Sequence, residues 1–169
     1  MEKFQLKPVR APEEIAEMCQ VAERVWHLTY DELLAPGQVD YMVEKFQSPK
    51  AVEEQMAQEG YQYYTVCQGG EAKGFVGFSP RYQGRDELFL SKVYLLPEIR
   101  GQGAARQVFD FAEAEARRQG LPCIRLTVNK YNTHAAQVYE HYGFRVTDSV
   151  VTDIGRGYVM DDYIMEKTL

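Results

Sequence analysis

Apolar positions recur at helical spacing through the first third of the chain, and the period then drops to two. Phe4 to Val9 alternates apolar and polar residues and predicts a short opening strand. Pro12 opens a helix with Glu13 and Glu14 in its first turn, where acids suit the macrodipole; Ile15, Met18, Ala22, Val25, Trp26 and Thr29 carry its apolar stripe down to Tyr30. A second helix carries Val39, Met42, Val43 and Phe46. Ser48-Pro49 restarts a third as N-cap and first helical residue, and Gly60 ends it. Tyr61 to Gln68 and Lys73 to Arg81 read as two strands joined at Gly69-Gly70. Leu88 to Leu96 is a further strand, and Gly103 to about Gln119 a helix rich in Ala, Glu and Arg. Ile124 to Val128 is short and largely apolar, as expected of a strand covered on both faces. Thr133 to Tyr142 is a helix closed by Gly143, and Phe144 to Val146 and Tyr158 to Lys167 supply the last strands. Helices first, then a strand meander, then β-α-β-α-β predict an α/β protein: a mixed sheet with helices on both faces. No repeat, low-complexity tract or linker breaks the 169 residues, so one domain over 1–169 is expected.

Composition narrows the classes. At 45% hydrophobic and 26% charged residues the chain is of globular type, and a net charge of −6 lacks the basic footprint of a nucleic-acid binder. Cys19, Cys67 and Cys123 are odd in number, far apart and without zinc spacing, which argues against a disulfide framework and a metal site and for a reducing compartment. The opening MEKFQLKPVR has no apolar core of a secretory signal, and no apolar run approaches bilayer length. A cytoplasmic protein without a membrane partner is the expectation.

The most informative segment is Val93-Tyr94-Leu95-Leu96-Pro97-Glu98-Ile99-Arg100-Gly101-Gln102-Gly103-Ala104-Ala105-Arg106, where a strand enters a two-glycine turn and a helix follows at once. The first amides of that helix lack intrahelical acceptors, the macrodipole adds positive charge, and glycines let a phosphate approach the backbone. Arg100 and Arg106 add charge at either end. A dinucleotide fingerprint would need Gly where Arg106 stands and an acid where Val128-Asn129 stands; a P-loop would need Gly-Lys-Ser/Thr. Both fail, and a plain tight turn is the competing reading.

Arg100-x-x-Gly103-x-Ala105 resembles the Arg/Gln-x-x-Gly-x-Gly/Ala signature of the GNAT acetyltransferases, with the preceding strand that family requires. Asn132-Thr133-His134-Ala135-Ala136-Gln137-Val138-Tyr139-Glu140-His141-Tyr142-Gly143-Phe144 is similar to the family's second signature at every fixed position. Without the family, Asn132 is a natural N-cap and Tyr139 a core aromatic. The resemblance covers the chain from about Tyr61 onward. It implies acetyl-CoA as cosubstrate, held by the amides of Arg100 to Arg106 and by Asn132, with Tyr139 beside its sulfur. The Trp26-x-x-x-Tyr30 pair, Tyr41-Met42 and the ending Met160-x-x-x-Tyr163-Ile164-Met165-Glu166-Lys167-Thr168-Leu169 look like the PaiA-type bacterial acetyltransferases, a group associated with spermidine and spermine.

Acetyl transfer to an amine needs a neutral nitrogen, a donor for the oxyanion and a proton for the departing thiolate. A lysine-like amine is only about 0.1% neutral at pH 7. Tyr139 is the candidate acid, and the amides of Val93, Tyr94 and Leu95 are the candidate oxyanion donors. The base is missing: many family members place a glutamate on the strand before the glycine turn, whereas here that strand holds Ser91 and Lys92, with Glu87 just before it. Ordered water or a carboxylate elsewhere is then expected to drain the proton. His27, His134 and His141 lie on helices, where histidine is ordinarily structural. The acids Glu23, Asp31, Glu32, Asp40 and Glu44, interleaved with Trp26, Tyr30 and Tyr41, are expected to line a slot for a cationic acceptor, though each acid taken singly suits a solvated helix face. The readings are therefore a small-amine N-acetyltransferase, a protein N-terminal acetyltransferase, or a non-catalytic acyl-CoA-binding module. Homodimers are common in the family.

Overall fold

The computed structural model describes residues 3–169. Seven strands form one sheet in the order β1-β2-β3-β4-β5-β7-β6. They are β1 (Gln5–Pro8), β2 (Gln62–Gln68), β3 (Glu71–Pro80), β4 (Leu88–Leu95), β5 (Cys123–Asn129), β6 (Arg145–Gly155) and β7 (Tyr158–Thr168). The helices are α1 (Pro12–Tyr30), α2 (Gln38–Gln47), α3 (Pro49–Gln58), α4 (Ala104–Arg118) and α5 (Thr133–His141). Neighbouring strands run antiparallel except β4 and β5, so the chain forms the expected mixed sheet, and it is mostly antiparallel.

Local chemistry fixes the helix starts. Pro12 sits in the first turn of α1, and the Glu14 carboxylate accepts from the Ala11 and Arg10 amides at 2.8 and 3.1 Å. Those two backbone bonds hold the Glu14 pKa below the usual carboxylate value. Ser48 caps α3 through its hydroxyl, which accepts from the Ala51 amide at 3.3 Å, with Pro49 next in line. Each sheet face carries its own core. Val76, Phe78, Leu88, Leu90 and Ile124 pack under α4 and α5, while Met18, Trp26, Tyr63 and Phe75 pack under α1 to α3.

The final hairpin departs from the sequence expectation. The strand foreseen only over Phe144 to Val146 runs from Arg145 to Gly155 as β6. It is the sheet edge, paired only with β7, and most of its residues are exposed. An edge strand with little to bury carries little alternation for pattern reading to find. No helix among the described residues is long and apolar enough to cross a membrane.

Candidate active site

The site is made by one extra residue in β4. Leu90 pairs with Phe78 and Lys92 with Gly77, leaving Ser91 without a counterpart. Such a bulge bends the strand and reverses which side chains face which way beyond it. Leu88 and Leu90 belong to the core under α4, and so, past the bulge, do Val93 and Leu95. Lys92 and Tyr94 turn to the opposite face, toward α1 to α3. A regular strand would have put Lys92 in the same row as Leu90.

The bend also parts β4 from β5. The two strands pair only at Leu88–Ile124 and Phe89–Arg125, while β5 stays paired to β7 from Cys123 through Asn129. Beyond Phe89 a wedge-shaped gap opens between Val93–Leu95 and Thr127–Val128, and these residues line a cavity with Tyr139 and Asn132. Donors alternate along an antiparallel strand. The Leu96 amide bonds the Lys73 carbonyl on β3 at 2.8 Å, so the Leu95 and Val93 amides turn into the gap, while the Tyr94 amide, expected as a third donor, faces β3 instead.

On the α4 side this cavity continues over Arg100, Gly101, Gly103, Ala104 and Ala105, with His134, Gln137 and His141 on its other wall. Gly103 is the N-cap of α4 at φ +88°, with no side chain capping the helix. A Cβ at Gly101 or Gly103 would meet nothing within 4 Å, so the backbone there is open to close approach. An uncapped helix N-terminus flanked by Arg100 and opening on a cleft suits a pyrophosphate. Two side chains of this turn stand away from the cleft. Gln102 bonds Gln68 at 3.1 Å and the Glu98 carbonyl at 3.0 Å, and the Arg106 side chain is exposed outside both cavities.

Asn132 and Tyr139 take the structural roles read from sequence, helix cap and core aromatic, and both also line the gap. The Asn132 side chain caps α5 by accepting from the Ala135 amide at 3.3 Å, and it also lines the gap. The Tyr139 ring packs edge-on against Phe109 and Phe144 at centroid distances of 5.6 and 6.1 Å, and the residue lines the same gap. Burial, then the nearby Tyr30 hydroxyl, push its pKa above the usual phenol value, so it holds its proton at neutral pH.

On the other face of the sheet lies a cleft of about 550 Å³ between β4, β7 and α1 to α3. Trp26, Gln55, Tyr61, Lys92 and Asp162 are among its walls, and Tyr94 and Thr127 line both this cleft and the gap. The two spaces therefore adjoin at the split in the sheet, with Tyr94 and Thr127 as shared wall. Lys92 is nearly buried, and its ammonium donates to the Tyr63 hydroxyl, Gln55 Oε1 and the Phe46 carbonyl at 2.5, 3.2 and 3.5 Å. Gly77 makes room for this arrangement, since a Cβ there would stand 2.5 Å from the Tyr63 ring. Burial draws the Lys92 pKa down to about 7, with the Glu59 charge pulling it back.

The acids expected to wall this cleft do not do so. Glu23, Asp31, Glu32, Asp40 and Glu44 are exposed, and Asp31 and Asp40 clasp His27 at 2.8 and 3.0 Å away from the cleft. Glu54, Glu59 and Asp162 are the carboxylates that line it. Glu87 pairs with Arg125 and Arg85 at 3.2 and 3.3 Å at the closed end of β4, remote from the gap. Sequence reading passed over Lys92 and Asp162. The signal available for Lys92 was a charge inside the largely apolar β4, whereas Asp162 shares β7 with Asp161, Glu166 and Lys167 and nothing in the pattern singles it out.

The family model of the GNAT acetyltransferases matches residues 23–144, and the chain belongs to that family. As a GNAT enzyme it takes its acetyl group from acetyl-CoA. An uncharacterized N-acetyltransferase, YjgM of Escherichia coli strain K12, is 33% identical over 93 residues, which span 54% of this chain and 56% of that one. An uncharacterized N-acetyltransferase of Mycobacterium tuberculosis strain H37Rv, Rv2669, is 28% identical over 154 residues, 90% of this chain and 96% of the other. Among solved structures, the PaiA N-acetyltransferase of Thermoplasma acidophilum in complex with coenzyme A superposes with a TM-score of 0.80 at 20% identity, covering 100% of both chains. A chimera of the Vibrio cholerae spermidine N-acetyltransferase SpeG gives 0.64 at 16% identity over 99% of this chain and 96% of that one. Both are likenesses of fold.

Proposed function

We propose that the chain acetylates a primary amine of a small molecule. The observation carrying this reading is the junction of two spaces at Tyr94 and Thr127: a phosphate-suited channel on one face of the sheet and an aromatic cleft on the other. That arrangement supports a reading in which thioester and amine approach the split in the sheet from opposite sides. In this reading the amides of Gly101, Gly103, Ala104, Ala105 and Arg106 bind pyrophosphate, with Arg100 beside them. Val93 and Leu95 amides hold the thioester oxygen as negative charge develops on it, and the Tyr139 hydroxyl gives its proton to the departing sulfur. Asn132 keeps α5 in place for Tyr139.

The acceptor we propose is a polyamine. Trp26, Tyr61, Tyr82 and Phe89 present aromatic surface to methylene chains, and Glu54, Glu59 and Asp162 supply charge for spaced ammonium groups. Lys92 does not oppose this, because a pKa of about 7 leaves it close to half neutral at pH 7 and its protons point at fixed acceptors. Thiol release with acetyl-CoA and a panel of spermidine, spermine, pentylamine and short peptides tests the reading. Spermidine or spermine should show a higher kcat/KM than pentylamine, and added salt should narrow the difference through KM. Equal efficiency at low salt, or activity on peptide N-termini alone, rules the polyamine out.

A further inference from the structure

Asp162 pairs with Asn129 across β7 and β5 and lines the acceptor cleft beside Tyr94 and Thr127. A carboxylate therefore stands on the acceptor side of the split in the sheet, where an amine has to meet the acetyl group. Its Oδ1 is buried and accepts no hydrogen bond among the described residues. Lys130 does not serve it, since that ammonium lies 2.9 Å from the neighbouring Asp161. Burial raises the pKa of the Tyr30 and Tyr94 hydroxyls from α1 and β4, and the Asp162 charge adds to each. Lys45, Glu54, Glu59 and Lys92 are the other charged groups on the cleft walls. A buried acceptor with no donor is costly, and an incoming ammonium would relieve it.

Resting on the acetyl-transfer reading above, we propose that Asp162 docks the acceptor's ammonium group and takes its proton before nitrogen attacks. The carboxylate gains one proton and the ammonium becomes a neutral amine. Nitrogen's lone pair forms the bond to the acetyl carbon, the carbon–sulfur bond breaks, and Tyr139 protonates the thiolate. The second proton shed by nitrogen restores the Tyr139 hydroxyl, and the proton on Asp162 passes to solvent. Ammonium and thioester thus give amide, thiol and one released proton. Burial, then the Asp161 charge, raise the Asp162 pKa to about 6, while Lys130 lowers it. The group is ionised at neutral pH and more basic than an ordinary aspartate, as a proton acceptor should be.

Asp162→Asn and Asp162→Glu, each also in a Lys92→Met background to remove the overlapping titration near pH 7, test this. In carbon NMR, the aspartate carboxyl signal missing from D162N should titrate near pH 6 and move downward on adding spermidine at constant ionic strength. D162N should lose about 10²–10⁴-fold in kcat/KM for spermidine, with acetyl-CoA affinity intact, and D162E should recover part of it. The D162N melting temperature near neutral pH should not fall, because the variant removes an unmatched buried charge. A carboxyl titrating at the ordinary aspartate position, indifferent to spermidine, overturns the proposal, as does unchanged kcat/KM in D162N. If the wild-type enzyme binds acetyl-CoA but acetylates no amine, the acetyl-transfer reading falls. The spermidine-dependent titration then decides alone: a response sustains ammonium docking at Asp162, and none overturns it.

Discussion

The Tyr30 and Tyr94 hydroxyls are 2.7 Å apart and join the end of α1 to the bent half of β4. Their rings meet edge-on at 6.0 Å, and Tyr94 also stacks on Phe75 at 5.6 Å. Burial leaves both phenols hard to ionise: Tyr30 stands at about 12 although the Tyr94 hydroxyl pulls it down, and Tyr30 pushes Tyr94 up further. This pair braces the edge of the split sheet beside Tyr139, and it makes the acceptor-side helix part of the site's frame.

Removing one hydroxyl should therefore cost more than removing both. Tyr30→Phe or Tyr94→Phe leaves a buried hydroxyl without its partner, a loss of about 1–3 kcal/mol. The double variant removes donor and acceptor together and should be less destabilised than the two single losses summed. Denaturant unfolding of the four proteins in a double-mutant cycle measures the coupling. Strict additivity would mean that the bond contributes nothing.

Tyr139→Phe retains the packing on Phe109 and Phe144 and deletes only the hydroxyl. Turnover should fall by about 10²–10⁴-fold, with acetyl-CoA affinity and melting temperature nearly unchanged. Steady-state kinetics and calorimetry on the same preparation check both halves. Wild-type turnover would leave Tyr139 as a core aromatic.

Gly103 offers a test of the phosphate channel. At φ +88° any side chain is strained, so Gly103→Ala measures the backbone cost with no added charge. Gly103→Asp adds a carboxylate where phosphate is expected, and its acetyl-CoA affinity should drop well beyond that of the alanine variant. Similar affinities for the two would place the pyrophosphate elsewhere.

Lys92 gives a pH signature of stability. Its folded pKa, about 7, lies below the unfolded value near 10.5, so the unfolded chain binds more protons between those two points. The contribution of Lys92 is most unfavourable below pH 7 and becomes less so as pH rises toward 10.5. Lys92→Met removes the titration, so its stability advantage over wild type should shrink from pH 7 to pH 10, as read by urea midpoints. A constant difference would mean that the ammonium is not desolvated as the fold implies.

Much of this was legible in the chain itself. Pro12, the Ser48-Pro49 pair, Gly69-Gly70 and Gly143 mark element ends by local backbone chemistry, which short-range sequence carries in full. The Arg100-to-Arg106 turn and the Asn132–Tyr139 helix were readable for the same reason: a helix N-terminus and its cap are built from consecutive residues. Which face of β4 each side chain takes was not. Period-two reading groups Lys92 with Leu90, and only the bulge at Ser91, set by pairing with β3, sends it to the other side. The same holds for the acceptor wall. Glu23, Asp40 and Glu44 sit on α1 and α2 but face solvent, because helix rotation is decided by packing against the sheet, and Asp31 and Glu32 fall in the exposed turn after α1. Asp162 reaches the site from β7, which lies beside β5 only once the sheet is assembled. Sequence alone determined most of the elements, the family and the glycine turn at Arg100 to Arg106, all local in origin. The split between β4 and β5, and the carboxylate and lysine that border it, were decided by non-local strand pairing that only the tertiary structure contains.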